Sequence, residues 1–348
     1  MKFADLLARA NDSLFIIAEA GVNHNGDVDT ALRLVDAAID SGCDAIKFQT
    51  WITEKVYCTT RSVKPEYQAR ATDASESEFD TIKRLELSFA DFRRIKEYCD
   101  ARGILFFSTP DESDSAEFLL DLGVDLMKTA SQDVTNLPFL RQLSAMGLPI
   151  IFSTGACTLA ELAEAVEAVS SATREVIILH CVSSYPAPFE QMNLSTIPNL
   201  AATFGFPVGF SDHTEGVEAA CAAVALGARI FEKHLTLDRG MPGPDHQASL
   251  EPAEMKTYCE ALRNVQRALG DGVKRIMPCE MDARKAFRRF LVSARDLSAG
   301  SELSAADVVF KKVVDGISPK HLDMLIGKRL VRDVAADTPL AWTMLESI

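Results

Sequence analysis

His213 and His234 end two consecutive short apolar runs, Val208-Gly-Phe-Ser-Asp-His213 and Arg229-Ile-Phe-Glu-Lys-His234. Two of the chain's six histidines therefore stand where their imidazoles can converge. Two neutral imidazoles leave most of a coordination sphere to water or substrate, which suits a Lewis-acid divalent ion better than a closed structural zinc. Lys47, Lys128 and Lys233 lie at the ends of three apolar-flanked runs. Lysine is rarely buried unless paired or functional, so several aimed at one place imply a multiply charged anionic ligand. Ser108, Thr109, Ser131, Ser153, Thr154, Ser183 and Ser211 add hydroxyls nearby, and lysines with hydroxyls make a phosphate or carboxylate cradle. Any single serine of this kind more often caps a turn; the ensemble carries the weight. Glu19 ends a further run just before Gly21-Val-Asn-His-Asn-Gly26. A carboxylate there can bind sugar hydroxyls, relay a proton, or neutralise the neighbouring Lys47.

These residues need strands to hold them. Eight β-branched or aromatic runs occur at residues 15–19, 45–49, 104–109, 124–128, 150–154, 176–180, 208–213 and 229–234. Helical patterns separate most of them. Asp27, for example, is placed to cap a helix whose apolar positions Ala31, Leu34, Val35, Ala38 and Ile39 share one face, with Gly42 as its stop. Eight such units predict an α/β fold, a (β/α)8 TIM barrel, whose site lies where the strands end. The barrel is expected over residues 1–270, with a basic and polar linker at 271–286 and a small domain at 287–348. In the last, Ala294-Arg-Asp-Leu-Ser-Ala-Gly-Ser-Glu-Leu303 resembles Val331-Arg-Asp-Val-Ala-Ala-Asp-Thr-Pro-Leu340, which predicts a pseudo-symmetric β unit too small to be very stable alone. The long polar stretch at residues 51–78 is expected to lid the site.

A net charge of −14 over 348 residues argues against nucleic-acid or anionic-membrane partners. There is no 18-residue apolar run, and residues 1–11 lack signal-peptide order, so the expected compartment is the cytoplasm. The eight cysteines form no CxxC pair and are expected as reduced thiols.

With these residues assembled, the chain closely resembles the sialic acid synthase family. The phrases that carry the likeness are Ile16-Ile-Ala-Glu-Ala-Gly-Val-Asn-His-Asn-Gly26, Lys47-Phe-Gln-Thr50, Ser108-Thr-Pro110, Ser153-Thr-Gly155, His180-Cys181 with Tyr185-Pro186, Ser211-Asp-His-Thr214, Glu232-Lys-His234 and Gly243-Pro-Asp245. The resemblance implies condensation of phosphoenolpyruvate with an N-acylated hexosamine. It implies that Mn2+ or Mg2+ binds His213 and His234. It places phosphate and carboxylate on Lys128, Ser131, Thr109, Ser153, Ser183 and Ser211, with Tyr185 nearby, and assigns Glu19, Lys47, Gln49 and Asp245 to the sugar or to water on the metal. The C-terminal part resembles the antifreeze-like (SAF, β-clip) domain that such enzymes place over a neighbouring barrel, which implies a domain-swapped homodimer.

Two departures bear on the sugar. Asp133 stands where the family generally has glutamate, and Lys312 falls where an arginine would reach the substrate's acyl group; lysine lacks arginine's planar fork. The simplest product is N-acetylneuraminate from N-acetylmannosamine. The close variant is N,N'-diacetyllegionaminate from a 2,4-diacetamido-trideoxyhexose. A barrel metallohydrolase would want a His-x-His pair on the first strand, where His24 stands alone. An inactive carbohydrate-binding homologue is disfavoured by the presence of Glu19, Lys47, Lys128, His213 and His234 together.

Overall fold

The computed structural model describes residues 2–60 and 76–346. It divides into two compact units, residues 1–270 and 271–348. In the first, eight strands alternate with helices: β1 Phe15–Gly21, β2 Ala45–Thr50, β3 Leu105–Pro110, β4 Met127–Thr129, β5 Ile150–Ser153, β6 Val176–Cys181, β7 Val208–Asp212 and β8 Ile230–His234. Every ladder is parallel, in the order β3-β2-β1-β8-β7-β6-β5-β4. β3 packs beside β4 without a ladder and closes the ring. The expected (β/α)8 barrel is the observed fold.

The helices form where capping and apolar spacing predict. Asp27 accepts a hydrogen bond from Thr30 N at 2.9 Å and starts the helix Val28–Asp40, which buries Ala31, Leu34, Val35 and Ala38 and gives way to Gly42 at φ +83°. Ser88 and Thr158 open two other helices with capping boxes.

Strand alternation sorts the side chains into two sets. Phe15, Ile17, Ala45, Phe107, Leu126, Ile151, Ile177, Leu179 and Ile230 fill the barrel interior, and Leu6 and Ala10 of the helix Phe3–Ser13 pack with them. Ile16, Ala18, Ile46, Phe48, Phe106, Phe152, Phe210 and Phe231 point outward into the larger core shared with the helices. Gly209 occupies an interior position where a Cβ would lie 2.2 Å from the Ile230 carbonyl oxygen, so the barrel closes there only without a side chain.

In the second unit β9 Arg289–Ser293 pairs antiparallel with β10 Val308–Lys312. The two similar phrases meet each other: Leu297 and Val334 exchange backbone hydrogen bonds at 2.8 Å each. Asp296 accepts from Ala336 N, and Asp333 from Ala299 N, both at 2.7 Å. The repeat in sequence is thus a reciprocal clasp. The helix Met281–Phe287 runs through the end of the expected linker. Of the expected lid, residues 61–75 lie outside the described residues; Trp51, at its start, is buried in a small cluster with Val22 and with Ile82 and Leu85 of the helix Glu78–Leu85. Among the described residues no helix is long and apolar enough to cross a membrane.

Candidate active site

A cavity of about 820 Å³ opens at the C-terminal ends of the barrel strands. Its floor is the inward-facing set continued upward by one pleat: Glu19 follows Ile17, Lys47 and Gln49 follow Ala45, Thr109 follows Phe107, and Lys128 follows Leu126. Ser153, Ser211, Glu232 and His234 arise in the same way from β5, β7 and β8. The loops beyond the strands add Ser131, Ser183, Tyr185, His213 and Asp245.

The floor is ionic. Glu19, Lys47, Lys128 and Glu232 are all buried. Lys47 Nζ lies 2.9 Å from Glu19 Oε1 and donates to Thr109 Oγ1 at 3.1 Å. Glu19 also accepts from Gln49 Nε2 at 2.9 Å, so its carboxylate lies between Lys47 and Gln49 on the cavity floor. Lys128 Nζ donates to Ser153 Oγ at 2.5 Å and to the Thr129 carbonyl at 2.8 Å. Burial pulls the Lys128 ammonium below the usual lysine range, against the opposing pull of Glu232. Gly155 lets the hydroxyls crowd in. Its N–H donates to Ser131 Oγ at 2.9 Å, and a Cβ there would lie 2.1 Å from Ser183 Oγ.

The two imidazoles converge, with ring centroids 5.6 Å apart, and Tyr185 packs 4.1 Å from the His213 ring. His213 Nδ1 is 2.8 Å from the Val182 carbonyl, which can only accept, so Nδ1 carries a proton and, in the neutral imidazole, Nε2 offers a lone pair. His234 Nδ1 is buried without a hydrogen-bond partner and stands 4.0 Å from Asp245 Oδ2. Burial, with His213 and the lysines nearby, holds His234 well below the ordinary imidazole range and keeps it neutral, as a ligand must be. An orphaned buried nitrogen beside a second available one fits a cation. Among the described residues no group of three or more His, Cys, Asp or Glu gathers closely enough to hold an ion, so the pair would share it with water or substrate.

Several expected residues lie elsewhere. Lys233 alternates to the outside of β8, where it pairs with Asp212 Oδ2 at 3.1 Å and donates to the Thr214 carbonyl. Ser108 and Thr154 also face away, bonded to Thr50 and to the Leu179 carbonyl. Asp133 is buried behind the wall: the 3-10 turn Ser131–Thr135 presents Ser131, Gln132, Val134 and Thr135 to the cavity and turns Asp133 inward, next to Asn136. Lys312 is an exposed residue of the second unit, its ammonium 5.0 Å over the Phe287 ring. Conversely Glu232, Cys181 and Asp111 line the cavity without having been singled out. Each continues the two-residue period of its strand, a signal already present in the sequence. Burial and Asp133 push the Asp111 carboxyl up to about 8, while burial and Glu19 push Asp245 up to about 7.

A closed barrel with a lysine–hydroxyl cradle beside two convergent imidazoles, followed by a small β-clip unit, defines a barrel synthase with a C-terminal SAF domain. Residues 34–274 match the NeuB family, and residues 288–346 match the SAF domain. The chain belongs to the NeuB family, the sialic acid synthases. It is 40% identical to the N,N'-diacetyllegionaminic acid synthase of Legionella pneumophila, over 96% of this chain and 95% of that protein. It is 32% identical to the human N-acetylneuraminate-9-phosphate synthase, over 96% of this chain and 93% of that protein. The solved N-acetylneuraminic acid synthetase of Leptospira borgpetersenii superposes with a TM-score of 0.70 at 35% identity, covering 79% of this chain and 91% of that one.

Proposed function

We propose that the cavity condenses phosphoenolpyruvate with the open-chain aldehyde of an N-acylated amino hexose, giving a nonulosonic acid and inorganic phosphate. The observation that carries this reading is the pair of buried lysines, Lys47 and Lys128, set among hydroxyls and beside His213 and His234. An anion bearing both carboxylate and phosphate matches such a cradle. His213 and His234 would hold a divalent cation, Mn2+ or Mg2+, which would supply Lewis-acid polarisation of the aldehyde.

Lys128, Thr109, Ser131, Ser153, Ser183 and Ser211 hold the phosphate and carboxylate, and Lys47 adds a second positive charge. Glu19, Gln49 and Asp245 orient the sugar so that its aldehyde carbon faces carbon three of phosphoenolpyruvate. Carbon three attacks that carbon, water captures the cationic centre left at carbon two, and the tetrahedral species expels phosphate by carbon–oxygen cleavage. Holding two reactants in register removes most of the entropic barrier to their meeting.

For the sugar, 2,4-diacetamido-2,4,6-trideoxymannose, giving N,N'-diacetyllegionaminate, is supported by the 40% identity to the Legionella synthase. It is also supported by Val22, Ile82 and Val134 on the cavity wall, apolar surface suited to a deoxy methyl group. N-acetylmannosamine, giving N-acetylneuraminate, is the second reading, favoured by the likeness to the Leptospira enzyme. The second unit is assigned to a domain-swapped cytoplasmic homodimer in which Lys312 reaches the acyl group of sugar bound in the partner subunit's barrel. Exposed Phe287, Phe310 and Trp342 support an association role for that unit.

Phosphate release from phosphoenolpyruvate with Mn2+, followed with each sugar in parallel, tests the reaction. Release with one or both is expected, and the larger kcat/KM names the product. No release with either would overturn the proposal.

A further inference from the structure

Glu232 has no part in the reaction as written, yet it stands at the centre of the cradle. β8 presents it on the inner face between Ile230 and His234, buried on the cavity floor. Its Oε1 accepts from Ser211 Oγ at 3.2 Å. Its Oε2 lies 3.9 Å from Lys47 Nζ and 3.8 Å from Lys128 Nζ, and accepts no hydrogen bond. Both separations exceed hydrogen-bonding distance. The carboxylate therefore balances the charge of two lysines without occupying their donors. Lys47 gives donors to Glu19 and Thr109, and Lys128 to Ser153 and Thr129. An ammonium has three donors, so each keeps one for a ligand.

A buried pocket with two ammonium groups and several hydroxyls attracts phosphate strongly, because charges at such separations interact far more in a protein than in water. The proposed reaction generates phosphate in that pocket at every turnover. A cradle tuned only for grip would hold the released phosphate as it holds the phosphate of phosphoenolpyruvate, and would be inhibited by its own product. We infer that Glu232 is a built-in counter-charge, placed between Lys47 and Lys128 to hold their grip on phosphate-bearing anions in check so that product phosphate leaves. It acts through the two lysines and not on the reacting atoms. This rests on the condensation proposed above.

Glu232→Gln removes the charge and keeps both the shape and the acceptor for Ser211. Calorimetric titration of the full-length protein with Mg2+ present, using inorganic phosphate and phosphoenolpyruvate separately, reads the effect without turnover. Both affinities are expected to rise by about tenfold or more in Glu232→Gln. Phosphate should become a correspondingly stronger product inhibitor, and kcat should fall while KM for phosphoenolpyruvate also falls. Glu232→Asp, which keeps the charge, is expected to stay within about threefold of the parent protein. Unchanged or weaker anion binding in Glu232→Gln overturns the inference. Glu232→Ala, titrated in the same way and held to the same outcomes, replaces it should the glutamine variant not fold. A parent protein that binds neither anion would instead overturn the cradle and the condensation, so the two failures are distinct.

Discussion

Lys128 and Lys233 are both buried and both sit at the upper ends of barrel strands, but they face opposite ways. Lys233 points out of the barrel into a closed set of partners. Asp212 lies 3.1 Å away, the Thr214 carbonyl accepts a hydrogen bond from it, and the Tyr258 ring centroid is 5.6 Å from the ammonium. Asp212 in turn accepts from Thr214 N and Oγ1 at 2.9 and 2.7 Å. Lys128 points into the cavity, where its nearest carboxylate, that of Glu232, stays 3.8 Å off and its remaining partners are a hydroxyl and a carbonyl. A buried charge in direct contact with a carboxylate away from any cavity serves the fold, whereas one that lines a cavity with its nearest carboxylate standing off is held ready for a ligand. Burial alone does not separate these roles; the partners do.

That contrast can be broken by exchanging each lysine for a neutral side chain of similar length. Lys233→Met strands the Asp212 carboxylate in the core and is expected to cost about 3–5 kcal/mol of stability, read from urea unfolding. Lys128→Met leaves Glu232 facing only Lys47, which Glu19 already pairs, but over a cavity that water can enter to solvate the carboxylate, so the variant's unfolding midpoint should fall less than that of Lys233→Met. Its kcat/KM for phosphoenolpyruvate should instead fall by about 10²–10³-fold. Reversal of these two outcomes would show that the faces had been assigned to the wrong tasks.

A smaller effect sharpens the same distinction at His24, which is buried in the loop after β1 and whose Nε2 makes no hydrogen bond. Burial, only partly opposed by Asp27, pushes its pKa down from 6.5 to about 4. As pH falls between those values the unfolded chain binds a proton that the folded one does not, so stability falls with pH. The full difference is about 3 kcal/mol. His24→Asn is expected to flatten the stability curve by that amount between pH 6.5 and 4 while leaving it unchanged above pH 7. Identical slopes for the two proteins would mean that folded His24 takes up its proton over the same pH range as in the unfolded chain.

Much of the site was legible from strand periodicity. Glu19, Lys47, Thr109, Lys128, Ser153, Ser211 and His234 all line the cavity. The errors arose where chemistry was read without that alternation. Lys233, Ser108 and Thr154 were grouped with the cradle by residue type, although each is one step out of phase with its inward neighbours, and Glu232 and Cys181, which are in phase, were left out. Asp133 lies off the cavity wall for another reason, because a 3-10 turn does not follow the strand period. In the second unit the repeated phrase announced a pseudo-symmetric β unit. It did not announce that Asp296 and Asp333 each accept a hydrogen bond from the opposite repeat.

The sequence by itself determined the eight strands, their helices and the inward-facing residue types. Alternation and capping are properties of the backbone and its near neighbours, and they persist whatever the chain packs against. Only the tertiary structure decided how those residues pair. Glu19 comes from β1, Lys47 from β2, Lys128 from β4 and Glu232 from β8. Whether a carboxylate sits 2.9 Å from an ammonium or 3.8 Å from it depends on strand register and ring closure across the barrel, which couple residues far apart in the chain.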